Sequence, residues 1–292
     1  MKLRFVLIVS CCVTTLSFLS VQHFLKQSKT KKIHDPKYDI TAIIQTGPEK
    51  EALQTAFLEE LLELSCDRPT NLYAFDLKVA EKKILSSPLI SEAHIKKIPP
   101  NIVYIDYTVR KPIARLGDYQ NVAIDKDGYL FPLLPFYAPK ELPEIYLGLP
   151  PFGGSEDSLG RKGGEWLTPL QNPHFQLAIE ILQFLEGSPW REGIRIKRLD
   201  VSNAFAKSLG TREIVLTTEE EILVKTHLCI FPKILRLCPK NYEKQMHHFL
   251  VLRKNMIEDY SRQLTDAVIP KSGKFSSRIV DLRIPHLAFV EN

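Results

Sequence analysis

The chain has 292 residues, of which 44% are hydrophobic and 25% are charged. This length suits two domains better than one, and the composition is typical of a globular protein rather than a disordered one. Six of the 39 Lys and Arg residues lie within residues 1–32, where there is no Asp or Glu, so the rest of the chain is close to neutral. The basic excess therefore does not indicate a general nucleic-acid-binding protein.

Residues 5–25 contain no Lys, Arg, Asp or Glu. About 20 apolar residues span a bilayer core, so we predict an uncleaved transmembrane signal anchor at 5–25. A short cytoplasmic tail at 1–4 and a basic juxtamembrane linker at 26–35 would flank it. Two alternatives are a cleaved signal peptide, with a weak cleavage site at residues 15–17, and a lipoprotein modified at Cys11.

Residues 36–110 predict a small domain with the element order β-α-α-β-β. A strand ends near Ile44, and a first helix has an apolar face that includes Leu53, Phe57 and Leu61. Asp76 is placed to cap a second helix. Two strands follow, at 90–98 and 102–109, and the second alternates apolar and polar residues. This is the element order of a POTRA domain, although other small α+β units share it.

Residues 111–292 predict a β-rich domain with flanking helices, which makes the fold class α+β. Pro112 cannot donate to a β-ladder, so the strand before it should end one sheet and the residues after it should begin another. A helix should start at Asn172-Pro173 and stop at Gly187. The other predicted elements are a hairpin of 122–124 with 129–131, strands at 194–201, 212–217 and 222–227 with a turn at 218–221, a helix after Asn241, and a strand at 278–290.

Several motifs, in the right order, resemble the FtsQ/DivIB family of bacterial cell-division proteins, which carry a transmembrane helix and a POTRA domain. The motifs are Phe75-Asp76, Leu85 to Pro88, Ala93-His94-Ile95, Lys97 to Pro100, Arg110 to Ala114, Asp125 to Phe131 and Ile279-Val280-Asp281-Leu282-Arg283. Two positions depart from the family pattern, because Val109 stands in place of a Glu and Leu116 in place of a frequent Trp.

The resemblance implies a non-enzymatic divisome scaffold that links early and late division proteins and needs no cofactor. Its partners would be FtsB-like and FtsL-like proteins, docked by β-strand addition at the C-terminal edge strand. Other divisome membrane proteins would meet the POTRA domain. The implied localisation is the bacterial inner membrane, as a single-pass type II protein with a cytoplasmic N-terminus and a periplasmic bulk at the division septum. The candidate partner-binding residues are Arg283, Ile284, His286, Leu287 and Phe289 in the terminal strand and, more weakly, Ile90, Ala93 and Ile95 at the POTRA edge.

No catalytic or metal-binding set is evident in the sequence. The glycine-rich residues 153–164 lack the Gly-x4-Gly-Lys-Ser/Thr pattern of a phosphate-binding loop, and a surface loop explains them better. A Cys229–Cys238 disulfide is one option and buried free thiols are another. The alternative functions are a POTRA-containing outer-membrane assembly or secretion factor and a membrane-anchored cell-wall enzyme.

Overall fold

The fold was examined in a computed structural model that describes residues 2–47, 52–65, 67–138, 141–157, 161–187, 193–224, 227–263, 274–284 and 287–291. The chain divides into two compact units, Met1–Arg110 and Lys111–Asn292.

The first helix, α1 (Lys2–Ile33), covers the predicted anchor. Among the residues that the structure describes, however, no helix is both long enough and apolar enough to cross a membrane. The transmembrane anchor at 5–25 is therefore wrong, and so is the single-pass inner-membrane localisation that depended on it. The reason lies in the polar residues within the run: Ser10, Thr14, Thr15, Ser17, Ser20, Gln22 and His23.

The end of α1 is fastened to the first unit. The helix continues through most of the predicted linker, because neither Gly nor Pro interrupts it before Pro36. The side-chain amide of Asn71 donates to the carbonyl oxygens of Lys32 (3.1 Å) and Asp35 (3.2 Å). The Lys32 ammonium also lies 5.0 Å from the centroid of the Tyr73 ring. The last turn of α1 therefore belongs to the folded unit.

The first unit has the order β-α-α-β-β that the sequence predicts. Its elements are β1 (Ala42–Thr46), α2 (Thr55–Leu62), α3 (Leu77–Leu85), β2 (Ile90–Ile98) and β3 (Ile102–Val109). The central strand β3 pairs with β1 in parallel and with β2 in antiparallel orientation. The carboxylate of Asp76 accepts from the amides of Lys78 (2.9 Å) and Val79 (3.2 Å), so the predicted cap of α3 is confirmed.

The second unit contains a nine-stranded sheet and two long helices. Its elements are β4 (Ala114–Leu116), β5 (Val122–Ile124), β6 (Leu130–Pro132), β7 (Glu144–Tyr146), α4 (Pro173–Glu186), β8 (Ile194–Asp200), β9 (Ile214–Val224), β10 (His227–Leu237), α5 (Tyr242–Gln263), β11 (Arg278–Asp281) and β12 (Phe289–Glu291). The strand order is β12-β11-β10-β9-β8-β7-β4-β5-β6. Since β3 belongs to the smaller sheet and β4 to this one, Pro112 lies between two sheets, as predicted.

One apolar core holds the second unit together. Alternate residues of neighbouring strands, such as Leu216, Leu235 and Val280, pack with Ile181 of α4 and Phe249 of α5. The side chain of Asn172 caps α4 by accepting from the amide of Phe175 (2.8 Å), which confirms the predicted start of this helix.

His174, in the first turn of α4, is a buried histidine. Only 2% of its surface is exposed, and neither ring nitrogen has a hydrogen-bond partner within the described structure. Burial and the nearby charge of Arg161 lower the pKa of His174, and they outweigh the opposing effects of Asp157 and the Ser202 backbone. The ring is therefore neutral in the folded protein at neutral pH.

We expect the stability of the protein to fall as the pH drops below about 6.5, because the unfolded chain then binds a proton at His174 that the folded chain resists. His174→Leu should make this pH dependence shallower. Urea unfolding at about pH 7 and about pH 5.5 measures it, and His34→Leu, at an exposed position, is the control. An unchanged dependence in His174→Leu would contradict the assignment.

The hairpin of β9 and β10 differs from its prediction. The sequence predicted a turn at 218–221, but β9 runs through these residues to Val224 and pairs with β10 along its whole length. Glu219 and Glu221 point outward, where Lys274 lies 2.6 Å from Glu219 and Arg195 lies 3.3 Å from Glu221. These ion pairs neutralise the two outer members of a run of three glutamates that resembled a polar turn.

The middle glutamate, Glu220, points inward and is 1% exposed. One of its carboxylate oxygens accepts from the ammonium of Lys233 on β10, and the other accepts from the guanidinium of Arg253 on α5. Burial lowers the pKa of Lys233, although the contact with Glu220 acts the other way. The Lys233 ammonium also lies 5.8 Å from the centroid of the Phe249 ring. We call Glu220, Lys233 and Arg253 the buried triad, since it links α5 to the hairpin.

Candidate functional site

The nine-stranded sheet has two edge strands, β12 at one end and β6 at the other. Strand β12 pairs with β11 in antiparallel orientation, from Ile279 opposite Glu291 to Asp281 opposite Phe289, and β11 pairs in parallel with β10. The predicted single strand at 278–290 is therefore two strands, with a reversal of the chain between them. No strand pairs with the other side of β12 within the part of the chain that the structure describes. Its outward backbone groups form an edge that can receive another strand.

Large apolar side chains are exposed at this edge. Phe289 is 57% exposed, Leu287 55% and Ile284 51%. Val290 of β12, which the sequence analysis did not single out, is also exposed. Ile284 lines one cleft with Phe289 and another with Leu287, and exposed apolar surface of this kind marks protein interaction sites. We call β12 together with Ile284 and Leu287 the docking edge.

Arg283 is held by contacts within the unit. Its guanidinium makes a two-pronged contact with the Asp281 carboxylate, at 3.0 Å and 2.7 Å. One Nη of the same group lies 3.2 Å from a carboxylate oxygen of Glu213 and donates to the Gly210 carbonyl at 3.3 Å. The candidate contact residue thus ties the end of β11 to the start of β9. We call this arrangement the Arg283 clamp.

The electrostatics of the clamp favour the charged forms of both partners. Burial opposes ionisation of Asp281, but the hydrogen bonds and charge of Arg283 outweigh it and hold the pKa of Asp281 below its ordinary value. The hydrogen bond to Asp281 raises the pKa of Arg283. The clamp is therefore an ion pair across the neutral pH range.

Two clefts lie beside the docking edge and share Ile284. The first has a volume of about 640 Å³, and its apolar lining includes Phe205, Leu209 and Phe289. The second has a volume of about 680 Å³ and lies between α5 and the residues Leu282, Ile284, Leu287 and Ala288, with Val251 in its wall. Lys244, His248 and Val251 recur at i, i+4 and i+7 along α5, a spacing that could have identified this face of the helix from sequence.

The remaining candidate residues lie elsewhere. His286 falls outside the described residues. Ile90, Ala93 and Ile95 are buried under the helices of the first unit, at 1%, 6% and 4% exposure. A partner at the edge of β2 would meet their backbone and not their side chains, and the side chains exposed on this strand include His94 and Lys96.

The glycine-rich loop is closed by its own backbone. The amide of Gly153 donates to the carbonyl of Gly164 (2.8 Å), and that of Gly163 donates to the carbonyl of Gly154 (3.1 Å). A Cβ at Gly163 would lie 2.2 Å from the Pro151 carbonyl oxygen, which is too close for any side chain. The two sides of the loop can therefore approach each other this closely only because residue 163 is glycine. These amides donate to carbonyl oxygens of the loop itself and so are not available to bind a phosphate.

The two cysteines described in the second unit are free, Cys229 buried and Cys238 partly exposed. Cys229 lies near the start of β10 and Cys238 directly follows that strand. At about 3.3 Å per residue they are roughly 30 Å apart, far beyond the reach of a disulfide. Among the residues searched in the described structure, no group of three or more His, Cys, Asp or Glu could hold a metal ion.

Comparison of the sequence with models of known protein families and with curated proteins finds no match.

Proposed function

We propose that the chain is a non-enzymatic docking protein that receives an extended segment of a partner along the docking edge. The observation that carries this proposal is β12, an outermost strand whose apolar side chains are exposed. A partner strand would pair with its outward N–H and C=O groups, and the neighbouring clefts would take the partner's side chains.

The sequence motifs favour a particular setting for this activity. The resemblance of residues 72–132 and 279–283 to the FtsQ/DivIB family supports a role as a cell-division scaffold. On this proposal, the docked partners are FtsB-like and FtsL-like proteins. The free edge of β2 offers a second, weaker contact for other division proteins through its backbone.

The test uses the tagged full-length chain, expressed in its source cells, with identification of the proteins that copurify. We expect small coiled-coil division proteins, and we expect Phe289→Asp to reduce their recovery by about ten-fold or more, because a charge replaces an apolar contact. Leu223→Asp is the matched control, since Leu223 is also an exposed apolar strand residue but lies outside the docking edge.

Two results would contradict parts of the proposal. If Phe289→Asp retains the division proteins as well as Leu223→Asp does, the partners dock elsewhere on the chain. If the unmutated chain recovers no division protein, the scaffold role is wrong, and the assembly-factor and enzyme alternatives become the next to test.

A further inference from the structure

The surface around the docking edge is unevenly charged. Arg212, Lys240 and Arg283 line the first cleft, and Lys244 lines the second. Among the described residues, Asp281 is the one carboxylate that lines either cleft, and it is already bound by Arg283. Glu291, at the end of β12, is exposed but does not line either cleft.

Three of these cations, Arg212, Lys240 and Lys244, have no acidic partner within the described structure, and Arg212 donates instead to the carbonyl of Ala206. Lys240 and Lys244 are both exposed, and neither forms an ion pair there. The outer face of the sheet is different, because its cations face acids: Lys197 lies 3.4 Å from Glu219, and Arg198 lies 3.1 Å from Asp200. Unbalanced positive charge is thus found beside β12, one of the two edge strands of the sheet.

Exposed apolar side chains also lie beside the two clefts that carry the unpaired cations. Leu209 is 77% exposed beside the first cleft, and Val251 is 67% exposed beside the second. A basic segment would be repelled here, and a wholly apolar one would leave the cations without partners as water is excluded from the interface.

We infer that the docking edge takes an extended partner segment whose side chains on the cleft side include both apolar and acidic residues. The inference rests on the proposed function and specifies the chemistry of its partner. The backbone of the segment pairs with β12, its apolar side chains cover Phe289 and Val251, and its carboxylates meet Lys240 and Lys244. Opposite charges at the rim set the register and speed the encounter.

The probes are two synthetic peptides of about twelve residues that repeat two valines followed by two charged residues, glutamate in one peptide and lysine in the other, so that each face of the extended chain carries both kinds of side chain. With the full-length protein, we expect the glutamate peptide to bind at least about ten-fold more tightly than the lysine peptide, and to weaken as salt is raised. The double variant Lys240→Glu with Lys244→Glu should reverse this preference. Lys254→Glu, an exposed position of α5 that does not line either cleft, is the matched control.

The inference is overturned if the lysine peptide binds as tightly as the glutamate peptide, if neither binds, or if the double variant behaves like Lys254→Glu. It is also overturned if the full-length chain forms a dimer that Phe289→Asp disrupts, since a second copy would then occupy the edge. The proposed function is judged separately, by whether Phe289→Asp loses the copurifying division proteins. If that loss occurs while the peptides show no charge preference, docking stands and the acidic partner is wrong.

Discussion

Glu220→Gln is expected to lower the free energy of unfolding by about 3–5 kcal/mol, because it leaves Lys233 and Arg253 without their shared carboxylate. Lys233 is 1% exposed, so water cannot replace the lost charge without opening the contact between α5 and the hairpin. Urea unfolding, followed by circular dichroism, measures the difference.

Glu221→Gln provides the control on the same strand. Its ion pair with Arg195 is exposed, so its loss should change the free energy of unfolding by about 1 kcal/mol or less. Similar effects for the two substitutions would show that Glu220 is solvated in the folded protein. The buried triad would then not link α5 to the hairpin.

Arg283→Ala is expected to lower the free energy of unfolding by about 2 kcal/mol and to weaken partner binding by about ten-fold or more. The substitution removes the clamp that joins the end of β11 to Glu213 and Gly210. Residues 284–291 then lose the fixed point from which they return to form β12. Arg283→Lys should recover little, because an ammonium cannot make the two-pronged contact.

Hydrogen exchange distinguishes this positioning role from direct contact with a partner. If Arg283 positions β12, the amides of residues 289–291 should exchange faster in unbound Arg283→Ala than in the unmutated protein. Unchanged exchange together with weaker binding would instead make Arg283 a contact residue. Arg198→Ala is the matched control, since Arg198 also pairs with an Asp two residues away, on β8; it should leave both measurements unchanged.

Local chemistry made several elements predictable from sequence. Asp76 and Asn172 cap α3 and α4 because their short side chains reach the first free amides of those helices. The alternation of Val103, Ile105 and Tyr107 predicted β3, since one face of that strand is buried. In each of these cases the deciding interaction lies within a few residues.

The errors arose where distant residues decide the structure. Glu219, Glu220 and Glu221 resembled a turn because their partners, including Lys233 and Arg253, are far away in sequence. The predicted anchor counted the absence of charge in 5–25 and gave too little weight to the hydroxyl and amide side chains within the run.

The candidate site was only partly accessible to sequence analysis. The exposed apolar residues Leu287 and Phe289 were selected because they follow the Asp-Leu-Arg motif. Ala93 and Ile95 were selected by alternation, which shows that two residues share a face but not that helices cover it. The unpaired Lys240 and Lys244 become meaningful only once Ile284 and Leu287 of the docking edge are seen beside α5.

The parallel pairing of β10 with β11 has a consequence for the order of biosynthesis. Parallel neighbours require a crossover, and α5 lies within the segment that makes it. Residues 278–291 therefore leave the ribosome after β4 to β10 and can join the sheet only when that crossover has been made. The docking edge is therefore absent until the end of the chain has been synthesised. On the proposed function, recruitment of a partner would therefore follow the folding of the unit.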